Sequence, residues 1–259
     1  MLRSRCLWRG AQAASRIGFM TDLLATLAPA PLDYAAFGLF LAVWFGYEPL
    51  LGMIGRRYRT INFTMKVVRR HWMENMARRD MRMADAALMG HVMNSAAFFA
   101  STTVLIAAAL VGALASIDSI QATVEALDFT SKTSRALFEV KILLPLGVFV
   151  SGFFRFSWAI RQFNYAIALI GATPPPNQAP AEDAESMAHM TAEVLSQGAL
   201  SFNGGIRAYY FALATLFWFG GPLPFLAATI GVVLVLLRRQ IHSRSAAAIR
   251  NEARKLTRY

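Results

Sequence analysis

Four stretches of this sequence are apolar for long enough to bridge a lipid bilayer, and a helix of about 20 apolar residues is what a hydrocarbon core of about 30 Å demands. The first runs from about Leu32 to Ile54. The second runs from about Gly90 to Ile117, the third from about Leu137 to Ile160 and the fourth from Ile206 to Leu237. As one helix the fourth would reach about 48 Å, more than a bilayer requires. Gly220, Gly221, Pro222 and Pro224 sit at its middle, where missing amide donors and restricted pre-proline residues favour a turn. The pattern predicts a short hairpin there. The expected fold is therefore all-α, a polytopic transmembrane helical bundle with no sheet.

Charge supports this reading and excludes others. The 259 residues are 56% hydrophobic and only 16% charged, whereas soluble domains are nearer a quarter charged. The single Cys6 supports neither a disulfide scaffold nor a cysteine metal site. A net charge of +11 comes in blocks beside the apolar runs: four arginines in residues 1–19, nine bases from Arg56 to Arg82 and seven from Arg238 to Arg258. Such blocks mark cytoplasmic segments, and no groove-reading motif points to nucleic acid. A bacterial inner membrane is the expected location, ahead of an organellar one.

Placing both later blocks in the cytoplasm requires an even number of crossings between them. Spans two and three supply two, and a hairpin at 206–237 supplies two more. Five crossings then put the N-terminus outside, in conflict with Arg3, Arg5, Arg9 and Arg16. A start at Met20 removes the conflict, so residues 1–31 read as an N-terminal extension with an over-long gene start ahead of a transit peptide. A four-crossing chain with its N-terminus inside is the alternative. Residues 32–244 form the membrane domain and 245–259 a basic C-terminal tail.

Two cytoplasmic helices are expected, at 57–86 and 182–198. In the first, Tyr58, Ile61, Met65, Val68, Trp72 and Met76 recur at steps of three and four among basic residues. Arg69, Arg70, Arg78, Arg79 and Arg82 on this segment are the candidates for binding anionic headgroups or a partner. The second helix starts with Glu182, Asp183 and Glu185 after the linker Thr173 to Pro180, and the acidic and basic helices could pair. The seven methionines from Met65 to Met93 read as packing. His71, His91, His189 and His242 show no two-ligand spacing with one another or with nearby carboxylates, so neither metal nor cofactor is expected.

Ionisable groups at membrane depth are costly, which makes Glu48 and Arg155 conspicuous. Both lie toward the inner ends of their spans and are expected to form an ion pair. Asp33, Glu139 and Lys141 lie at outer ends, where side chains can reach the interface. His91, Asn94, Ser95 and Thr102 share span two and suit either helix packing or the lining of an oligomeric pore.

Four ordered motifs bear a resemblance. They are Arg78, Arg79, Asp80, Arg82 and Asp85; the run Phe98, Phe99, Ala100, Ser101, Thr102, Thr103; the stretch Phe156 to Tyr165, including Trp158, Arg161 and Asn164; and Arg207, Ala208, Tyr209, Tyr210. Together they resemble a bacterial and plant multi-pass membrane family catalogued as domain of unknown function five-nine-nine, over about Leu32 to Arg244. The resemblance implies a helical inner-membrane fold and marks Ser101, Thr102, Thr103, Trp158, Arg161, Asn164, Arg207 and Tyr209 without giving them roles. Paired acids, an activated nucleophile and metal ligands at membrane depth are all lacking, so an enzyme is not expected. The expected role is a scaffold or accessory subunit that binds a membrane-protein partner or anionic lipid at its cytoplasmic face. A small oligomeric channel or transporter using Glu48, His91, Asn94 and Arg155 is the alternative.

Overall fold

The computed structural model describes residues 31–58, 60–128, 130–131, 133–176, 178, 180–241 and 243–256, with the side chains of 54–58 excepted. The N-terminal extension with Met20 and its four arginines, the side chains of Arg56, Arg57 and Tyr58, and His242 lie outside the described residues.

Among the described residues all regular structure is helical, and the fold is an all-α polytopic bundle. Its helices are α1 (Pro31–Tyr58), α2 (Ile61–Ala77), α3 (Met83–Ala115), α4 (Ile117–Glu125), α5 (Arg135–Ala172), α6 (Ala181–Leu216), α7 (Pro222–Ile241) and α8 (Arg244–Leu256). A 3-10 turn, Phe217–Gly220, joins α6 to α7. Four of the described helices are long and apolar enough to cross a membrane: α1, α3, α5 and the helix beginning at Pro222. Phe45, Phe98, Leu105, Phe154 and Leu223 stand exposed on them. An outward apolar surface costs nothing in lipid, whereas in water it would be an aggregation hazard.

The predicted hairpin turn falls where the glycines and prolines stand, with Gly221 at φ 110°, a left-handed conformation that disfavours a side chain. The first arm, however, is not short. Residues 181–216 form one continuous helix of about 54 Å, so the acidic segment 182–198 and the first hairpin arm are a single element. Its glycines do not break it because they are packing positions. A β-carbon on Gly198 would lie 2.6 Å from the Phe163 ring, on Gly205 2.5 Å from the Phe156 ring, and on Gly204 2.5 Å from Arg155 Nη1. These missing side chains let α5 and α6 lie close along their lengths, antiparallel, with Gly152 meeting Ala208 nearer the far end.

Aromatic side chains fill the core around this pair. Phe99, Phe156, Phe202 and Tyr209 pack at ring-centroid distances of 5.6–6.1 Å. Phe40 meets Phe211 and Phe225 to join α1, α6 and α7. Thr103 Oγ1 lies 2.9 Å from the Tyr209 hydroxyl, which donates to the Phe99 carbonyl at 3.2 Å. Two of the family-motif residues thus tie α3 to α6.

Span two starts at Met83 and α1 runs to Tyr58, so the expected single helix 57–86 falls on three elements. Helix α2 ends at Ala77 and a turn over 78–82 reverses into α3. Asp85 explains the turn: its carboxylate is fully buried and accepts from Trp72 Nε1 at 2.7 Å and Arg79 Nη1 at 3.1 Å. Asp85→Ala is expected to cost about 2 kcal/mol, or about 4–8 °C in unfolding temperature, because the half-buried Trp72 donor loses its acceptor. Thermal denaturation in detergent reads this directly, with Arg79→Gln expected to cost less because that side chain can turn to water.

Helix α2 does not lie alone on a surface. Met73, Met76 and Ala77 are buried in a cluster with Met89 of α3, Phe163 of α5 and Ala188, Ala192 and Leu195 of α6. The residues 245–259 expected to be a tail include helix α8, which packs on α2 and buries Ala246 and Ala253. The basic and acidic helices do pair, through Lys66 and Glu193 at 2.6 Å. That hydrogen bond, helped by one from Gln197, holds the Glu193 carboxyl below its ordinary range.

Candidate functional site

Glu48 lies on α1 just before Pro49, which cannot donate a helix hydrogen bond. Arg155 of α5 reaches it with both terminal nitrogens, at 2.5 and 2.8 Å, forming the predicted ion pair as a bidentate fork. Arg207 of α6 adds a second guanidinium on the same carboxylate. It is the more buried arm, its side chain 12% exposed against 41% for Arg155. Gly204 makes room for Arg155, and the Tyr47 ring lies 5.8 Å from the Arg207 guanidinium carbon. The family resemblance marks Arg207 without placing it on Glu48.

Two cavities flank this cluster. One, of about 450 Å³, is lined by Glu48, Leu51, Asn62, Phe63, Lys66 and Arg207. The other, of about 280 Å³, is lined by Arg207, Tyr210, Arg239, Gln240, Ser243 and Ser245 among others. Arg239 donates to the Tyr210 hydroxyl and lies 5.7 Å from its ring. The buried Gln240 Oε1 has no hydrogen-bond partner among the described residues. Ser243 Oγ caps α8 by accepting from the Ala246 amide at 3.1 Å.

The expected headgroup-binding arginines are largely engaged within the fold. Arg82 donates to the carbonyls of Ile170, Thr173 and Pro174, satisfying the last turn of α5. Arg79 serves Asp85, and Arg70 donates to Glu74 Oε1 and His189 Nε2 at 3.0 Å each. Arg69 is half-buried, and burial lowers the pKa of its guanidinium. Arg78 alone of the five is exposed beside a cavity. Sequence position showed that these residues are cationic, not that partners elsewhere in the fold claim them.

His91 and Asn94 are exposed on α3 and line neither cavity beside Glu48. Ser101, Trp158, Arg161 and Asn164 are exposed, and Thr102 Oγ1 donates back to the Phe98 carbonyl at 2.8 Å. Asp33 and Lys141, expected to reach the interface, are instead buried. Asp33 accepts from Trp218 Nε1 at 2.6 Å, and Lys141 Nζ lies 5.9 Å from the Trp218 ring centroid with no hydrogen-bond partner among the described residues. The helix ends at this side are covered by the 3-10 turn, which the apolar pattern could not reveal.

The expectation that no histidine has a carboxylate at ligand spacing also needs correction. Glu185 stands four residues before His189 on α6, and His189 Nε2 lies 3.6 Å from Glu185 Oε1 and 3.0 Å from Glu74 Oε1 of α2. Burial pushes the Glu74 carboxyl up, but hydrogen bonds from His189 and Arg70 outweigh it and hold its pKa below the ordinary value.

A bundle of apolar helices with a charged cluster near one end defines a polytopic membrane-type protein without a recognisable catalytic constellation among its described residues. Residues 35–245 match the family model described as "Protein of unknown function, DUF599", and the chain belongs to that family. No curated protein and no solved structure gives a significant match.

Proposed function

We propose that this chain is a non-enzymatic protein of the bacterial inner membrane that binds anionic phospholipid headgroups at its cytoplasmic end. The cavity between Arg207 and Arg239 supports the reading. Arg155 and Arg207 share the single carboxylate of Glu48, and Arg239, which donates to the Tyr210 hydroxyl, lines the same cavity as Arg207, so three guanidiniums stand near one carboxylate. The cavity walls add the hydroxyls of Ser243 and Ser245 and the Gln240 amide, which can present its N–H by turning about its last torsion. Apolar Ile206 and Leu236 complete a lining suited to a phosphate with a greasy attachment. The positive blocks at this end favour a cytoplasmic orientation, where anionic lipid is available. Headgroup recognition therefore moves from the arginines of 69–82, mostly held by the fold, to Arg207 and Arg239.

The channel reading needs Glu48, His91, Asn94 and Arg155 on one path. In a single chain the first and last meet while His91 and Asn94 stand apart from them, so a second copy would have to supply the meeting.

Native mass spectrometry in a mild, lipid-retaining detergent tests the proposal with phosphatidylglycerol as the added lipid. Arg239→Gln is expected to weaken its binding about tenfold or more, from a charged hydrogen bond worth about 1.5–3 kcal/mol. Arg78→Gln, outside the cavity, is expected to change it little. Equal binding by wild type and Arg239→Gln would reject the assignment.

A further inference from the structure

At the junction of α2 and α6, Glu74, Glu185 and His189 each offer one ligand atom within 4.8 Å of the other two. Two of the separations, 3.0 Å from His189 Nε2 to Glu74 Oε1 and 3.6 Å to Glu185 Oε1, are those of ligands sharing one centre. With metal–ligand bonds of about 2.0–2.2 Å, they correspond to angles of about 90° and about 120°. A cation is already drawn to this point. Arg70 Nε lies 3.0 Å from both Glu74 Oε1 and His189 Nε2, so a carboxylate oxygen and an imidazole nitrogen converge on one positive group. Two acceptors 3.0 Å apart repel unless a proton or a cation mediates between them.

The surroundings complete the pattern. His71 Nδ1 lies 3.5 Å from the other oxygen of Glu74, in the place of an outer-shell partner that orients a ligating carboxylate. A cavity of about 300 Å³, lined by Glu74, Arg78, Pro175 and Glu185, opens beside the cluster and gives room for water ligands. Arg70 is 57% exposed, so it can swing into solvent without opening the core.

We infer that Glu74, Glu185 and His189 bind a divalent transition-metal cation that replaces Arg70 and clamps α2 to α6. One imidazole with two carboxylates selects Zn²⁺ or Mn²⁺ over Mg²⁺, which prefers oxygen ligands in a near-octahedral arrangement. The site does not depend on the lipid cavity, with which it shares no lining residue.

The test is calorimetric titration of ZnCl₂ into the full chain, purified in detergent without a histidine tag and stripped with chelator. Wild type is expected to bind one equivalent, with MgCl₂ giving no such isotherm. His189→Gln and Glu74→Gln are expected to weaken Zn²⁺ at least tenfold. Glu185→Gln, at a 63% exposed side chain, weakens it without threatening the fold. Arg70→Gln separates the metal site from a plain salt-bridge cluster, because removing the competing cation should tighten Zn²⁺ severalfold. Failure of wild type to bind one equivalent, or affinity unchanged in both Glu185→Gln and His189→Gln, would overturn the inference.

Discussion

Glu48→Gln should lower the unfolding free energy of the detergent-solubilised protein by about 2–3 kcal/mol. The reason lies with Arg207, which is nearly buried and would keep its positive charge with only a neutral amide to face. Breaking a fully buried pair costs about 3–5 kcal/mol, and the smaller figure follows because Glu48 itself is 45% exposed. Chemical or thermal denaturation followed by circular dichroism measures the loss. The double variant Glu48→Leu with Arg207→Met should recover much of it, since an apolar replacement removes the stranded charge as well. Stability unchanged in Glu48→Gln would show that the two guanidiniums find other compensation.

Gly205→Val should be more damaging still, at about 3 kcal/mol or more, and should lower the yield of folded protein. Even the first carbon of a side chain at this position would sit 2.5 Å from the Phe156 ring. Phe156 has no room to retreat: it is fully buried and packs on Phe99, Phe202 and Tyr209. The α5–α6 pair would have to separate, loosening both Arg155 and Arg207 from Glu48. Gly112→Val on α3, where a new β-carbon meets nothing within 4 Å, is the matched control and should be nearly neutral. Comparable losses at both positions would point to helix propensity rather than packing.

The apolar runs were enough to find α1, α3, α5 and α7, because in these helices most residues are greasy whether or not they touch protein. They were not enough for α6. That helix buries Gly198, Gly204, Gly205, Ala208 and Ala212, small residues that carry close packing but little hydropathy. Its N-terminal half also bears the acids Glu182, Asp183 and Glu185, along with Glu193, which pairs with Lys66 of α2, so it read as a separate surface segment. The Glu48–Arg155 pair was legible because two lone charges at similar depth have few alternatives. The third member was not, since Arg207 belongs to the helix whose continuity was hidden. Arg79 and Arg82 misled for a related reason. A cationic side chain looks the same in sequence whether it faces a headgroup or caps a distant helix end, and the carbonyls that Arg82 serves lie 88–92 residues away. His189 and Glu185 carried a local signal, the four-residue step on one helix face, but their third ligand comes from another helix.

The order in which the charged cluster is synthesised has a consequence for how the chain enters a membrane. Glu48 precedes Arg155 by 107 residues and Arg207 by 159. At an elongation rate of about 5–20 residues per second, the carboxylate emerges roughly 5–20 s before its first partner and roughly 8–30 s before its second. During that interval helix α1 carries an unmatched charge two turns from its basic end, and the headgroup layer is the cheapest place to hold it. Helix α1 therefore settles at full depth late, when α5 brings Arg155 to neutralise the carboxylate.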